Sequence, residues 1–302
     1  QSLPSLLASA FIIFGMYQTN ISRVTYPQTA QHVSIITAFK NSKRCIPDYV
    51  NVLLRQTHVS WVCFLIDDNS SDGSFSEARL LTRSDPRFCL ISLPFRTKPG
   101  PSEARNYALS LVTTELVAFC DIDDLWHPRK LELQLTYHTN NALDISVTCF
   151  SRFVDKSSLQ RLYQGIPPAS ITRSSILSRN PIPMSSVLIR KDFLAHSFQR
   201  CPHGDYLHWI SLFRSHQRIK YGCLLHTLMF YRVHDSNLSR NKLLMPFWTY
   251  AVFRRSGLPP LFALIQLFLW TCTHVTILIA RLSDRPRITS VDLQMAENPV
   301  LL

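Results

Sequence analysis

The sequence predicts an α/β protein built on a mostly parallel sheet with helices on both faces. Three observations predict it. Between residues 33 and 150, short apolar runs alternate with stretches of helical spacing. The runs are continuously apolar, as in strands buried on both faces. Two of them end abruptly in clustered aspartates, and ligands of open parallel sheets bind beyond the carboxyl ends of the strands.

The elements follow in order. "VSIIT" (33–37) is a β-branched first strand, and "RCIPDYVNVLLRQT" (44–57) has helical spacing at Tyr49, Val50, Leu53 and Leu54. "WVCFLI" (61–66) is a second strand that ends at Asp67, with a helix in "DGSFSEARLLTR" (72–83). "RFCLISL" (87–93) is a third strand, and Pro101 opens the helix "PSEARNYALSLV". "ELVAFCD" (115–121) is the fourth strand, Pro128 opens the helix "PRKLELQLTYH", and "DISVTCF" (144–150) is a fifth strand. From 151 to 240 the pattern loosens and basic residues dominate residues 152–200. No repeat or low-complexity tract occurs.

The two ends differ from this core. Residues 1–30 contain the apolar "LLASAFIIFGMY" with no Met at the start and no basic n-region, which predicts a core or interfacial segment and not a signal peptide. Residues 256–280 contain no Asp, Glu, Lys or Arg, a length sufficient to cross a bilayer. Gln266, Thr273 and His274 interrupt that run, and Arg254, Arg255, Arg281, Arg285 and Arg287 flank both ends, so charge gives no orientation. A span, a helix lying in a membrane face and a helix buried on the main domain are all open at this level.

Composition bounds the function. With 302 residues, 46% hydrophobic and 17% charged, the chain is folded and has room for one large core. A net charge of +12 favours a polyanionic partner: nucleic acid, an anionic membrane face or a phosphorylated substrate. Eight cysteines occur without a C-x-x-C, which argues against a zinc ribbon, and Cys63, Cys120 and Cys149 lie in apolar runs as expected of buried thiols in a reducing compartment. No P-loop and no G-x-S-x-G is present. No nucleic-acid-binding module is recognisable, so nucleic acid is not expected as a partner.

The chemistry concentrates at the strand ends. In "CDIDDLW", Asp121 and Asp123 at i and i+2 face the same way in an extended or turn segment, and two such carboxylates suit Mn²⁺ or Mg²⁺ held against phosphates. The bland alternative is a solvated acidic turn before a helix. In "LIDDNSSDGS", Asp67 or Asp68 can accept from an imide N–H or a ribose hydroxyl, or simply form an Asx turn. "GPSEARN" sets Arg105 on a helix, where it suits phosphate or stays in solvent. "HGDYLHW" puts Asp205 among aromatics, and "YRVHDSNLS" puts Arg232 and His234 beside a polar loop.

These pieces, in this order from about 33 to 241, resemble a family 2 glycosyltransferase of the GT-A fold, a Rossmann-like α/β architecture, here with a C-terminal apolar helical segment. The resemblance implies that "VSIITAFKN" is the opening nucleotide-binding strand, with Ala38, Phe39 and Asn41 at the donor. It implies that Asp67 and Asp68 of "DDNSSDGS" hold the nucleoside, that Arg105 and the Asp121–Ile122–Asp123 stretch face the nucleotide sugar, and that Asp121, Asp123 and His234 attend the metal. It makes Asp205, the second residue of the family's E-D pair, the catalytic base. Two departures stand out. Ala38–Phe39–Lys40–Asn41 replaces Pro-x-Tyr-Asn, so Phe39 or Lys40 must take over any stacking on the base, and Gly204 replaces the Glu of the E-D pair.

The implied organisation is an N-terminal extension (1–30), a transferase domain (31–241, with donor half 31–125 and acceptor half 126–241) and a C-terminal helical region (242–302). The implied reaction is metal-dependent inverting transfer from a nucleotide-diphosphate sugar, a UDP-sugar first, to a saccharide or lipid-linked saccharide in cell-surface polysaccharide synthesis. The implied location is cytoplasmic, peripheral or C-terminally anchored at the inner face of the cell membrane. The competing readings are a degenerate, non-catalytic scaffold subunit and a phosphatase of the haloacid dehalogenase type. That phosphatase class carries its D-x-D on the first strand, whereas here it follows the fourth.

Overall fold

The structure, a computed structural model, describes residues 32–94, 100–153, 164–195, 197–233 and 244–283. Its centre is a nine-stranded sheet. β1 (Val33–Phe39), β2 (Trp61–Asp67), β3 (Phe88–Ser92) and β4 (Leu116–Phe119) pair in parallel in the order β3-β2-β1-β4. The parallel sheet expected from the sequence therefore holds for this half. Beyond β4 the sheet is mixed. β8 (Leu188–Arg190) runs antiparallel to β4 and to β6 (Ile145–Phe153), while β6 and β9 (Tyr221–Arg232) pair in parallel. Two short strands, β5 (Leu125–Trp126) on β9 and β7 (Gln164–Gly165) on β6, are antiparallel. The boundary expected at 125/126 falls within β5, and one sheet runs through both halves.

Successive strand residues point to opposite faces, and the core divides accordingly. Ile36, Phe64, Ile66, Val117 and Phe119 pack on one face with α3 (Pro101–Leu111) and α6 (Gly204–Ser215). Ile35, Cys63, Leu65 and Ala118 pack on the other with α1 (Ile46–Leu54), α2 (Ser74–Thr82) and α4 (Lys130–Asn140). The β1–β2 connection through α1 and the β3–β4 connection through α3 thus lie on opposite faces, which opens a crevice between β1 and β4 at the strands' carboxyl ends. All eight cysteines are free thiols; Cys63, Cys120 and Cys149 are buried, as their apolar runs predicted.

The apolar C-terminal run becomes α8 (Pro260–Ser283), next to α7 (Met245–Arg255) and α5 (Ser175–Ser178). Ala263 and Trp270, two turns apart on one stripe, are buried, and Gln266 Nε2 donates to the Leu177 carbonyl at 3.2 Å. Leu261, Phe262, Leu264, Ile265, Phe268 and Leu269 are exposed. Among the described residues no helix is long and apolar enough to cross a membrane.

Lys130 is fully buried at the start of α4, with Nζ 2.7 Å from Gln134 Oε1 and 4.0 Å from the Trp126 ring centre. Burial pulls its ammonium down to about 7. The unfolded chain therefore keeps a proton between pH 7 and the ordinary lysine range that the folded chain has released, so stability should rise with pH across that window. Lys130→Met should raise stability at pH 7 by about 1–4 kcal/mol in urea unfolding and flatten that rise; a loss of stability would mean that the amine is needed where it lies.

Candidate active site

β2 and β4 both flank β1, so their ends stand two strand spacings apart, about 10 Å. Asp67 and Asp68 leave one, and Asp121 to Asp124 leave the other. Phe39, at the end of β1, lies opposite Asp67 in the register. The two acidic clusters read from the sequence therefore line one crevice.

On the β2 side the aspartates divide their work. Asp67 is held within the loop: Oδ1 accepts from Ser70 N at 3.1 Å and Oδ2 from Ser92 Oγ at 3.2 Å. Asp68 faces Lys40 Nζ at 3.8 Å, while its Oδ1 is buried with no hydrogen-bond partner among the described residues, as is the neighbouring Asn69 Nδ2. Burial pushes the Asp68 carboxyl above its usual range, against the pull of Lys40. Asn41 braces this loop. Its Oδ1 accepts from Ser71 N at 2.8 Å and its own N–H donates to Ser70 Oγ at 2.9 Å. Asn41 and Asn69 both take positive φ, 49° and 59°, which asparagine tolerates better than most residues. Asp72 accepts from Lys43 N at 3.2 Å and Ser74 N at 2.9 Å, joining the loop after β1 to the start of α2. Ala38 is half-buried against the core; Phe39 is buried within it, so Lys40 is the residue of that pair that reaches the crevice.

On the β4 side three carboxyls share a tight turn, closed by Asp124 N donating to the Asp121 carbonyl at 3.0 Å. Asp121 and Asp123 are half-buried, and Ile122 between them is buried. Arg105 reaches from α3 to Asp121 Oδ1 at 2.7 Å. Asp124 points inward and is fully buried, and burial together with Asp123 and Asp121 pushes its carboxyl far above the ordinary range. Ser185 joins the two ends of the turn: Asp121 N donates to its Oγ at 2.9 Å, and that hydroxyl donates to Asp124 Oδ2 at 2.5 Å. Trp126 Nε1 donates to the Ser185 carbonyl at 2.8 Å. Arg232 holds the outside, with Nε on the Asp123 carbonyl at 3.0 Å, its N–H on Asp124 Oδ1 at 3.3 Å and Nη2 on Asp48 Oδ2 at 3.0 Å. Sequence reasoning missed Ser185 and Asp48. His234 lies outside the described residues.

Asp205 enters from the same sheet face as Arg105. The chain before it is fastened to α3: Asn106 and Phe198 exchange two hydrogen bonds, at 2.9 and 2.7 Å, and Ser102 Oγ donates to the Gln199 carbonyl at 3.1 Å. Asp205 lies in the first turn of α6, whose N-cap is His203, so it does not occupy the capping position. Its Oδ2 accepts from Asn180 Nδ2 at 2.9 Å. Gly204 has a steric reason. A Cβ there would fall 2.9 Å from the Gln199 carbonyl oxygen and 3.0 Å from Ser102 Oγ. The space of the expected Glu is filled by the chain itself.

Metal fit follows from the donor set. Among the described residues no cluster of three His, Cys, Asp or Glu side chains could hold a metal ion. Asp121 and Asp123 give an all-oxygen pair reachable from the crevice, which matches Mg²⁺-type ions that bind one or two carboxylates and complete their shell with substrate phosphates and water.

The family model described as "Glycosyl transferase family 2" matches residues 34–202. The chain is similar to the Escherichia coli UDP-Glc:alpha-D-GlcNAc-diphosphoundecaprenol beta-1,3-glucosyltransferase WfgD, 28% identical over 183 residues, 60% of this chain and 70% of that protein. Among solved structures it is similar to S. aureus TarS 1-349 in complex with UDP-GlcNAc, with a TM-score of 0.62 at 17% identity over 82% of this chain and 73% of that one. Against a longer TarS chain it spans 43%. It is also similar to the mannosyltransferase PcManGT of Pyrobaculum calidifontis in complex with GDP-Man and Mn²⁺, with a TM-score of 0.57 at 14% identity over 98% and 89% of the two chains. At these identities the two structures show the fold alone, and it is the GT-A fold.

Gly204→Ala tests the packing at Asp205. A methyl so close to a backbone oxygen should cost about 1–3 kcal/mol in urea unfolding. An unchanged midpoint would show that the 199–204 turn yields, and that the loss of the Glu is not steric.

Proposed function

The chain belongs to glycosyl transferase family 2, and from that premise we propose that it transfers a sugar from a UDP-sugar to a lipid-diphosphate-linked saccharide, with inversion, in cell-surface polysaccharide synthesis. The observation that carries the reading is the pair of acidic strand ends, Asp68 and Asp121–Asp123, on either side of β1. The unpartnered Asp68 Oδ1 and Asn69 Nδ2 are an adjacent acceptor and donor, which suits the N–H and C=O edge of uracil. Relatives support the substrate classes: WfgD is named for UDP-Glc and a diphosphoundecaprenol-linked acceptor, and TarS was solved with UDP-GlcNAc.

In this reading Lys40 and Asp68 flank the nucleoside, and Phe39 supports the loop from within the core. Asp121 and Asp123, with His234, would hold Mn²⁺ or Mg²⁺; when bound, the ion neutralises charge on the departing diphosphate. Arg105 keeps Asp121 oriented from the side of α3. Inversion needs a base opposite the leaving group, and Asp205 comes from α6, outside the acidic turn. It would take the proton of the acceptor hydroxyl as that oxygen attacks the anomeric carbon.

Calorimetry of a nucleotide and nucleotide-sugar panel tests the donor site. UDP should bind with Mn²⁺ present and lose affinity in EDTA and in Asp123→Ala. Equal affinity in EDTA removes the metal role, and preference for a guanine or thymidine nucleotide moves the donor class. Asp205→Asn should keep UDP affinity and cut transfer by about 10² to 10⁴; wild-type turnover would put the base elsewhere.

The membrane partner rests on α8. Between Asp235 and Asp284 no acidic residue occurs, while Arg240, Lys242, Arg254, Arg255 and Arg281 do. An exposed apolar row on a basic, acid-free region suits the face of an anionic bilayer. The protein should float with vesicles containing phosphatidylglycerol, less with phosphatidylcholine alone, and Phe262→Ser with Phe268→Ser should abolish flotation. Flotation unaffected by those changes would assign the membrane contact to another surface.

A further inference from the structure

We propose that Asn180 is the positioning residue of the base, and that the segment 180–186 fixes the Asp205 carboxylate relative to the acidic turn after β4. The inference rests on the reading of Asp205 as the base and adds to it the device that holds it.

The amide of Asn180 has a defined orientation. Its Oδ1 accepts from the Ile182 N–H at 3.3 Å, which turns Nδ2 toward Asp205 Oδ2 at 2.9 Å. One carboxylate oxygen is thereby tied to a neutral donor, which keeps the other, Oδ1, for the acceptor hydroxyl. A donor is the right partner here. A second carboxylate beside the base would repel it, and position 204, where the resemblance expects one, has no room for a side chain.

The same short segment ends on the acidic turn. Five residues on from Asn180, within the stretch Asn-Pro-Ile-Pro-Met-Ser-Ser, the chain has placed Ser185 Oγ between Asp121 N and Asp124 Oδ2. The path between is stiff. Pro181 and Pro183 fix two φ angles and restrict the residues before them. Ile182 and Ser185 are fully buried, and a 3₁₀ turn over Met184–Ser186 closes with Ser186 N on the Pro183 carbonyl at 3.0 Å. A strut anchored at one end on the leaving-group side and at the other on the base sets the span that the sugar must bridge. Small misplacements of a reacting group across such a span cost rate steeply.

The test is a double-mutant cycle on the donor–acceptor pair found by the nucleotide-sugar screen with a synthetic lipid-diphosphate N-acetylglucosamine acceptor. Asn180→Ala should lower kcat by about 10- to 100-fold while the UDP dissociation constant and Tm stay as in wild type, and Asn180→Gln should recover part of the loss. In the Asp205→Asn background, Asn180→Ala should cost nothing further, because its effect runs through that carboxylate. Full activity in Asn180→Ala, or a full penalty persisting beside Asp205→Asn, overturns the proposal while leaving the base in place. A fully active Asp205→Asn overturns both. If no pair turns over, a crystal structure of Asn180→Ala decides: a displaced Asp205 carboxylate supports the strut, and an unmoved one refutes it.

Discussion

Repulsion among Asp121, Asp123 and Asp124 is the constraint around which this end of the molecule is arranged. Three carboxyls leave a buried strand within four residues, in a medium where like charges interact more strongly than in water. Each is dealt with separately. Asp121 takes the Arg105 guanidinium. Asp124 turns inward to Ser185 and the Arg232 N–H, with its carboxyl pushed toward the neutral form. Asp123 stays half-buried at the crevice while Arg232 grips its carbonyl. The turn thereby presents two carboxylates in alternate positions outward and hides the third. That arrangement draws on α3, β9 and the 180–186 segment at once.

The sheet supplies the rest of the spacing. Because β1 separates β2 from β4, the spacing between the two acidic ends of the crevice is set by strand geometry and not by loop conformation. Loops then specialise the ends. The Asn41–Ser70–Ser71–Asp72 network makes the loops after β1 and β2 into one unit, and leaves Asp68 as the carboxylate with an open acceptor. The basic, acid-free α7–α8 region lies in a separate part of the chain and shares no residue with the two acidic strand ends.

How much of this was legible in the sequence follows from how each part is encoded. β1 to β4 and α1 to α4 repeat a local pattern, continuous apolar runs and helical spacing, which reads without tertiary knowledge. The mixed second half does not, since β5, β7 and β8 are two or three residues long and owe their state to neighbouring strands. At the site, charge was the signal: Asp67, Asp68, Asp121 and Asp123 stood out because acids rarely end buried strands. Ser185 and Asn180 carried no such mark; a buried serine and an asparagine in a proline-rich stretch look like any turn. In the sequence Gly204 is only a departure from the family's E-D pair, and its meaning appears only with Gln199 and Ser102 in place.

The central claim is that the ends of β2 and β4 form one donor site. A crystal structure of the protein with UDP and Mn²⁺ tests it most directly. The account predicts the uracil against Asp68 and Asn69, and the diphosphate, with the metal, against Asp121 and Asp123. A nucleotide bound elsewhere on the sheet, or one whose diphosphate touches neither aspartate, would contradict it.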